Sequence, residues 1–246
     1  IEILNEEASD LACILLDPLP HRVGLVEASA DYVEALYRWS RKHAALLVFD
    51  EVITFRNRYG GAQEKYPVRP DLTAMGKMIG GGFPVGALAG RREVMEVMNP
   101  LADRVLFPHS GTFSANPVTM TAGLAAMEKF DRVAVESLNQ LGEYARKSLR
   151  EAISLTDVAA CVSGDGSLFR LHLKEKVPQN YREAYTSAEE ANAMRQLLDY
   201  LFNQGIQMIN TCSGTLSTAM SRNEIDTLSE TMLAGLRQLG SLEHKM

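Results

Sequence analysis

Lys77 stands between a short apolar run and a glycine cluster in Asp71–Gly90, DLTAMGKMIGGGFPVGALAG, and is the candidate nucleophile of this chain. Leu72–Met75 reads as a strand that delivers it. Gly76 removes side-chain bulk beside it, and Met75 and Met78 are expected to keep its amine in apolar surroundings, which favour the neutral form that attacks carbonyls. Gly80, Gly81 and Gly82 allow backbone conformations and close approaches that a Cβ resists, before Phe83-Pro84 stiffens the exit. Such a geometry suits a small ligand close to the main chain. Taken alone, the same stretch also fits a glycine-rich turn between two strands with an exposed lysine.

Nucleotide-binding readings of these glycines fail on the residues present. A Walker loop needs a glycine five residues before its Gly-Lys pair and Ser or Thr after it, where Asp71 and Met78 stand. A dinucleotide fingerprint starting at Gly80 meets Val85 where Gly or Ala is needed, and one starting at Gly81 meets Phe83 in place of its second glycine.

The elements that must position Lys77 begin upstream. Leu11–Leu16 is a compact apolar run that reads as a buried strand closed by Asp17-Pro18, and Asp31–His43 has helical apolar spacing behind a possible Asp31 cap. Ala44–Phe49 is a second strand, ending in Asp50-Glu51. Strand, helix, strand is the signature of a parallel βαβ unit, in which ligands bind beyond the carboxyl ends of the strands. Asp50 sits at one such end and Lys77 at the next. Thr54–Val68, with Gly60-Gly61, reads as a loop near the site, and Arg91–Met98 as a short helix. Residues 107–117, FPHSGTFSANP, read as an anion-binding turn around Gly111, to which Thr112 adds a hydroxyl and which also carries His109.

A helix is expected from Pro117 through Met127, opening with small residues that permit close packing, and a longer amphipathic one over Arg132–Ile153. Beyond it, Ala159–Gly164, Leu168–Leu173, Ile206–Ile209 and Leu216–Met220 read as strands, and Ala188–Asn203 and Glu224–Leu239 as helices. This pattern predicts a small α+β domain over 132–246 after a larger α/β domain over 1–131. His172, alternating with Leu171 and Leu173, reads as a satisfied sheet residue rather than a ligand.

With 246 residues, 46% hydrophobic and 23% charged, the chain can bury a sizeable core. Its net charge of −6 and lack of basic runs argue against nucleic acid or an anionic membrane as partner. Cys13, Cys161 and Cys212 fit neither a disulfide framework nor a CxxC metal site, so no metal is expected and a reducing, cytoplasmic compartment is. No apolar run reaches membrane-spanning length and no signal peptide opens the chain, but the first residue is Ile1, so the natural start is expected upstream.

The motifs VFDEVITFR, GGAQ, PDLTAMGKMIGGGFPVGALAGRREVM and HSGTFSANP, in this order, resemble the class III pyridoxal phosphate-dependent aminotransferases, and within them the branch of the glutamate-1-semialdehyde aminomutases. The resemblance runs from about Leu11 through Gly123 and continues more weakly through SGDGSLFRLHL. It implies an α/β architecture of fold type I, a mostly parallel sheet flanked by helices and followed by the small α+β domain. It further implies that Lys77 holds pyridoxal 5′-phosphate as a Schiff base and shuttles a proton. Asp50 would pair with the pyridine nitrogen, Val52 would pack on the ring, and Thr112 would bind the cofactor phosphate across a homodimer interface. The substrate implied is a small amino or keto compound.

Two departures accompany the resemblance. Asp17-Pro18 stands where the family generally has Glu-Pro. Members also carry a long segment before the counterpart of Ile1, so this chain is expected to be the C-terminal part of an enzyme, with an unpaired sheet edge and exposed apolar surface. Amino transfer within one substrate (aminomutase) and between two molecules (aminotransferase) use the same lysine. A catalytically silent remnant serving as a dimerisation or interaction module is the alternative from another class.

Overall fold

The computed structural model describes residues 1–243 and divides into two compact units, one of Ile1–Pro18 and Ala28–Val135, the other of Leu19–Glu27 and Glu136–Met246. The end of the 132–246 segment, residues 244–246, lies outside the described residues. No helix among the described residues is long and apolar enough to cross a membrane.

After a one-turn helix, α1 (Glu2–Glu6), the first unit is built on β1 (Cys13–Leu16), β2 (Leu46–Asp50), β3 (Leu72–Gly76) and β4 (Gly86–Gly90), side by side in that order. β1, β2 and β3 run parallel, while β4 returns antiparallel to β3. The crossover between β1 and β2 is α2 (Ala30–Lys42), the βαβ unit expected from the sequence. Ser29, not Asp31, caps it, accepting from the Tyr32 amide at 3.3 Å. Asp31 falls in the first turn, where its charge favours the positive end of the helix dipole.

Val33 and Leu36 of α2 cover Leu47 and Phe49 of β2, with Tyr66 and Val68 closing the same core. Ile14 and Leu16 join it from β1, but Cys13 and Leu15 are exposed. The expected buried strand is therefore buried on one face only. Its side chains alternate between faces, and α2 shields just the one. The outer edges of β1 and β4 pair with no strand among the described residues, and every residue of β4 is exposed.

Asp71, 1% exposed, ties the start of β3 to its neighbours. Its carboxylate accepts from the Leu47 amide at 2.7 Å and from Arg41 Nη1 and Arg91 Nη1, both at 2.9 Å, with Arg41 Nη2 on its other oxygen. Burial pushes the Asp71 carboxyl up, but the hydrogen bonds from Arg41, Leu47 and Arg91 outweigh it and hold the group below its ordinary value.

Beyond α3 (Arg92–Met95), α4 (Pro117–Lys129) starts at an Asn116 cap with Pro117 in its first turn. The helix lies backbone to backbone against a 3-10 turn, Lys77–Gly80, that follows β3. A Cβ at Gly123 would sit 2.3 Å from the Ile79 carbonyl oxygen, and one at Gly81 would sit 2.2 Å from that of Ala122. The close packing is thus made by Ala122 and Gly123 in the middle of the helix rather than by the residues that open it.

In the second unit, α5 (Arg132–Ser154) from Glu136 onward is followed by a three-stranded antiparallel sheet of β5 (Cys161–Ser163), β6 (Leu168–His172) and β7 (Ser213–Thr215). Between β6 and β7 come α6 (Tyr181–Ala184) and α7 (Ala188–Asn203), and α8 (Arg222–Glu243) closes the chain. Leu138, Ala145 and Leu149 of α5, Leu197 and Leu201 of α7, and Ile225, Met232 and Leu236 of α8 are buried with Phe169 and Leu171 of the sheet. The strands expected at 206–209 and 216–220 are not formed. Ile206 bonds back to Leu201 O at 2.9 Å to finish α7, and a turn closed by Cys212 N to Ile209 O at 2.9 Å precedes the ladder. Pairing is thereby confined to the small residues Ser213–Thr215, and apolar Leu216 is buried at their end.

His172 is the satisfied sheet residue anticipated. Its Nε2 lies 2.8 Å from Ser163 Oγ and 3.1 Å from Gly24 O, while Ser163 Oγ donates to Gly24 O at 2.6 Å. Burial first, then the charge of Arg170, pushes its pKa down to about 4.

Three outcomes are expected. Gly123→Ala raises helix propensity by about 1 kcal/mol, yet it should lower stability in urea melts, because the backbone contact leaves no room for the methyl. Asp71→Asn should lower stability, chiefly by removing the counter-ion of Arg41, since Arg91 is partly exposed and keeps Glu93. The native Asp71 term is complete above the unfolded value of 3.8 and is lost as pH falls through the lower folded value, so the variant should also flatten the strongly acid limb of a stability–pH curve. His172 accounts for a separate limb: stability should fall between its ordinary value of 6.5 and about 4, because the folded state resists protonation there, and His172→Gln should remove that slope.

Candidate active site

Parallel pairing of β2 with β3 sets Asp50 opposite Ala74, so the carboxyl ends of the two strands release Asp50-Glu51-Val52 and Lys77 side by side. The Glu51 amide bonds to Ala74 O at 2.8 Å, which carries the alignment one residue past the strand. Val52 points at the residue before the lysine: a Cβ at Gly76 would lie 3.5 and 3.7 Å from the two Val52 methyl carbons. The structure thus brings Asp50, Val52 and Lys77 together at one edge of the sheet.

Asp50 is half-buried, and one of its oxygens accepts from the Val52 amide at 3.1 Å, leaving the other for a ligand. Lys77 has φ +50°, a left-handed conformation uncommon for a residue with a Cβ and often found at functional positions. The turn and α4 hold it there. The apolar surroundings expected for its amine are not formed among the described residues: Lys77 is exposed, and its amine makes no hydrogen bond or ion pair within them. Of the glycines, Gly81 is required by the contact with α4, whereas a Cβ at Gly82 would meet nothing within 4 Å. Gly82 is needed for its φ of +97°.

Glu51, to which the sequence reading gives no role, is a buried anchor beside these residues. It is completely buried, and its carboxylate accepts from the Ala62 amide at 2.5 Å, the Gln63 amide at 3.0 Å and Thr54 Oγ1 at 3.3 Å. Burial raises its pKa, and the bonds from Gln63, Ala62 and Thr54 oppose that rise. A Cβ at Gly61 would stand 2.8 Å from each carboxylate oxygen, so Gly61 makes room for this side chain, while a Cβ at Gly60 would meet Glu64 instead. Its signal in the sequence is an acidic residue just past a strand end, followed within ten residues by Gly-Gly in a loop that must be pinned.

Thr112 and His109 lie on the exposed stretch between α3 and α4. Their surroundings are locally bonded, Ser114 N to Gly111 O at 3.0 Å and Asn116 N to Phe113 O at 3.2 Å. Among the described residues no hydrogen bond or ion pair joins Thr112 to Asp50, Val52 or Lys77.

A free amine and an under-used carboxylate at neighbouring strand ends, with an apolar side chain between them, fit a planar heteroaromatic aldehyde. The amine can condense with the aldehyde, the carboxylate can accept from a protonated ring nitrogen, and the valine can lie on the ring face. The donor set therefore suits pyridoxal phosphate.

Comparison with known proteins agrees. The model of the family "Aminotransferase class-III" matches residues 1–233. Glutamate-1-semialdehyde 2,1-aminomutase of Methanothermobacter thermautotrophicus is 40% identical over 187 residues, covering 76% of this chain and 44% of that protein. The aminomutase of Akkermansia muciniphila is 36% identical over 236 residues, covering 94% of this chain and 54% of its own length. Among solved structures, an omega-transaminase from Sphaerobacter thermophilus superposes with a TM-score of 0.94 at 39% identity, covering 97% of this chain and 54% of that one. The chain spans about half the length of the curated relatives it matches. The parallel sheet, the lysine turn and a family match over nearly the whole sequence together place this chain in the class-III aminotransferase family.

Proposed function

We propose that the complete protein carries out pyridoxal phosphate-dependent amino-group transfer on a small amino or keto substrate, in the manner of the glutamate-1-semialdehyde aminomutases. The observation that carries the reading is Lys77 on its left-handed turn beside Asp50 and Val52. A solved transaminase, 38% identical over 98% of this chain, has pyridoxal phosphate bound, which supports the same cofactor here.

In this reading Lys77 is the Schiff-base lysine. Its amine would hold the cofactor and, when free, would move the proton that leaves and returns to substrate carbon. Asp50 would hold the ring nitrogen protonated, and Val52 would pack against the ring face. When bound, the cofactor supplies an electron sink for the pair released at that carbon. Glu51 keeps Asp50 and Val52 aimed by docking the 54–65 loop against the strand end. A second reading, transfer between two molecules, is favoured by the 39% identity to an omega-transaminase over 97% of the chain.

We place Thr112 on the cofactor phosphate of a second copy in a homodimer. Phe107, Phe113, Val118 and Leu124, all exposed in the single chain, surround its stretch of sequence and suit an interface between copies. The division into domains at 131/132 and a cytoplasmic location, in keeping with three unpaired cysteines, belong to the same proposal.

Borohydride reduction of the complete, cofactor-loaded protein tests the lysine. Mass spectrometry should find the cofactor fixed to the peptide containing Lys77, and Lys77→Ala should carry none and lose at least ~10²-fold in turnover. Fixation elsewhere, or none in the parent, would leave the fold without this chemistry. Supplying labelled amino donor separates the two readings: label stays out of the product in an aminomutase and enters it in an aminotransferase.

A further inference from the structure

The second unit contains a cleft of about 530 Å³ between β6 and α7, of a size suited to a small ligand. Arg170 of β6 lines it and is 8% exposed. Its Nη1 donates to the His21 carbonyl oxygen at 3.0 Å, its Nε is buried without a hydrogen-bond partner, and no carboxylate pairs with the guanidinium among the described residues. A cation taken out of water is costly unless an anion or a full set of acceptors meets it.

The neighbouring charges do not meet that need. Lys174 spends its ammonium on Glu190 at 2.6 Å, and the same glutamate caps α7 by accepting from the Ser187 amide at 2.8 Å. This acid is committed twice over, while Arg195 adds a second positive charge at the rim. The lining further includes Ala191, Met194 and Leu198 of α7 and Thr211, whose hydroxyl is engaged with Ser213 Oγ at 3.0 Å. The cleft thus combines cationic and apolar lining.

We propose that this cleft is a binding site for a small carboxylate with an apolar body, its carboxylate on the Arg170 guanidinium and its hydrocarbon along Met194 and Leu198. A guanidinium presents paired N–H donors in the geometry a carboxylate accepts, and the apolar wall favours an aliphatic or aromatic body over a sugar phosphate. The site is read without any cofactor, so it stands or falls apart from the reaction proposed at Lys77. Burial lowers the Arg170 pKa, the direction expected of a cation waiting for its counter-ion.

Calorimetric titration of the whole chain, without cofactor, with 4-phenylbutyrate and with its neutral counterpart 4-phenylbutan-1-ol tests this. The acid should bind at least 10-fold more tightly than the alcohol, Arg170→Met should abolish that preference, and Lys77→Ala should leave it unchanged. Arg170→Met should also melt no lower than the parent, because it removes a buried charge that stability does not require. The proposal is overturned if the parent does not bind the acid, if acid and alcohol bind alike, or if Lys77→Ala loses the binding. A folded Arg170→Met that still prefers the acid overturns it as well, and one that melts well below the parent assigns Arg170 to holding the His21 segment. The acid–alcohol comparison on the parent needs no variant to fold.

Discussion

A carboxylate removed from water has to be met by donors, and two of them fix the first unit from opposite ends of its sheet. Asp71, where β3 begins, gathers Arg41, Arg91 and the Leu47 amide. Glu51, just past the end of β2, gathers the Ala62 and Gln63 amides and the Thr54 hydroxyl. The first sets where β3 starts relative to β2, and the second sets where the chain goes once β2 ends. Asp50 and Lys77 emerge at neighbouring points because both ends are pinned.

The pinning shows in which way each acid is pushed. Asp71 has two cations and sits below its ordinary value, whereas Glu51 has only neutral donors and sits above it. A carboxylate among amides is a positioning device more than a source of stability, since its desolvation is only partly offset. The backbone contact of α4 with the 77–80 turn works without charge. Glycine on each side lets two main chains meet, and the lysine keeps a conformation that an isolated peptide would abandon.

Arg170 and His172 lie two residues apart on β6 and show opposite solutions to burial. His172 is neutral at ordinary pH, and its Nε2 bonds to Ser163 and Gly24, so its burial is met within the fold. A guanidinium has no such escape, because it stays charged at any ordinary pH. Arg170 is left with a single carbonyl and a cleft in front of it.

Much of this was legible in the order of residues. Apolar periodicity placed α2, α5 and α7, the apolar runs placed β2 and β3, and turn chemistry marked the glycine cluster, because all of these depend on neighbours in sequence. Lys77 and Asp50 could be singled out since a strand end is a local event, whereas Val52 was implied only by the family resemblance. Which faces are covered was not legible: β1 reads as a buried strand yet shows Cys13 and Leu15 to solvent, and apolar 206–209 reads as a strand yet pairs with nothing. Pairing and cover are made by residues distant in sequence. By itself, then, the sequence determined most of the element types, a candidate nucleophile and the family. Tertiary structure alone decided that Glu51 is buried, that Gly123 meets Ile79 and that no carboxylate among the described residues pairs with Arg170, because each depends on which donors and backbones the fold brings to that point in space.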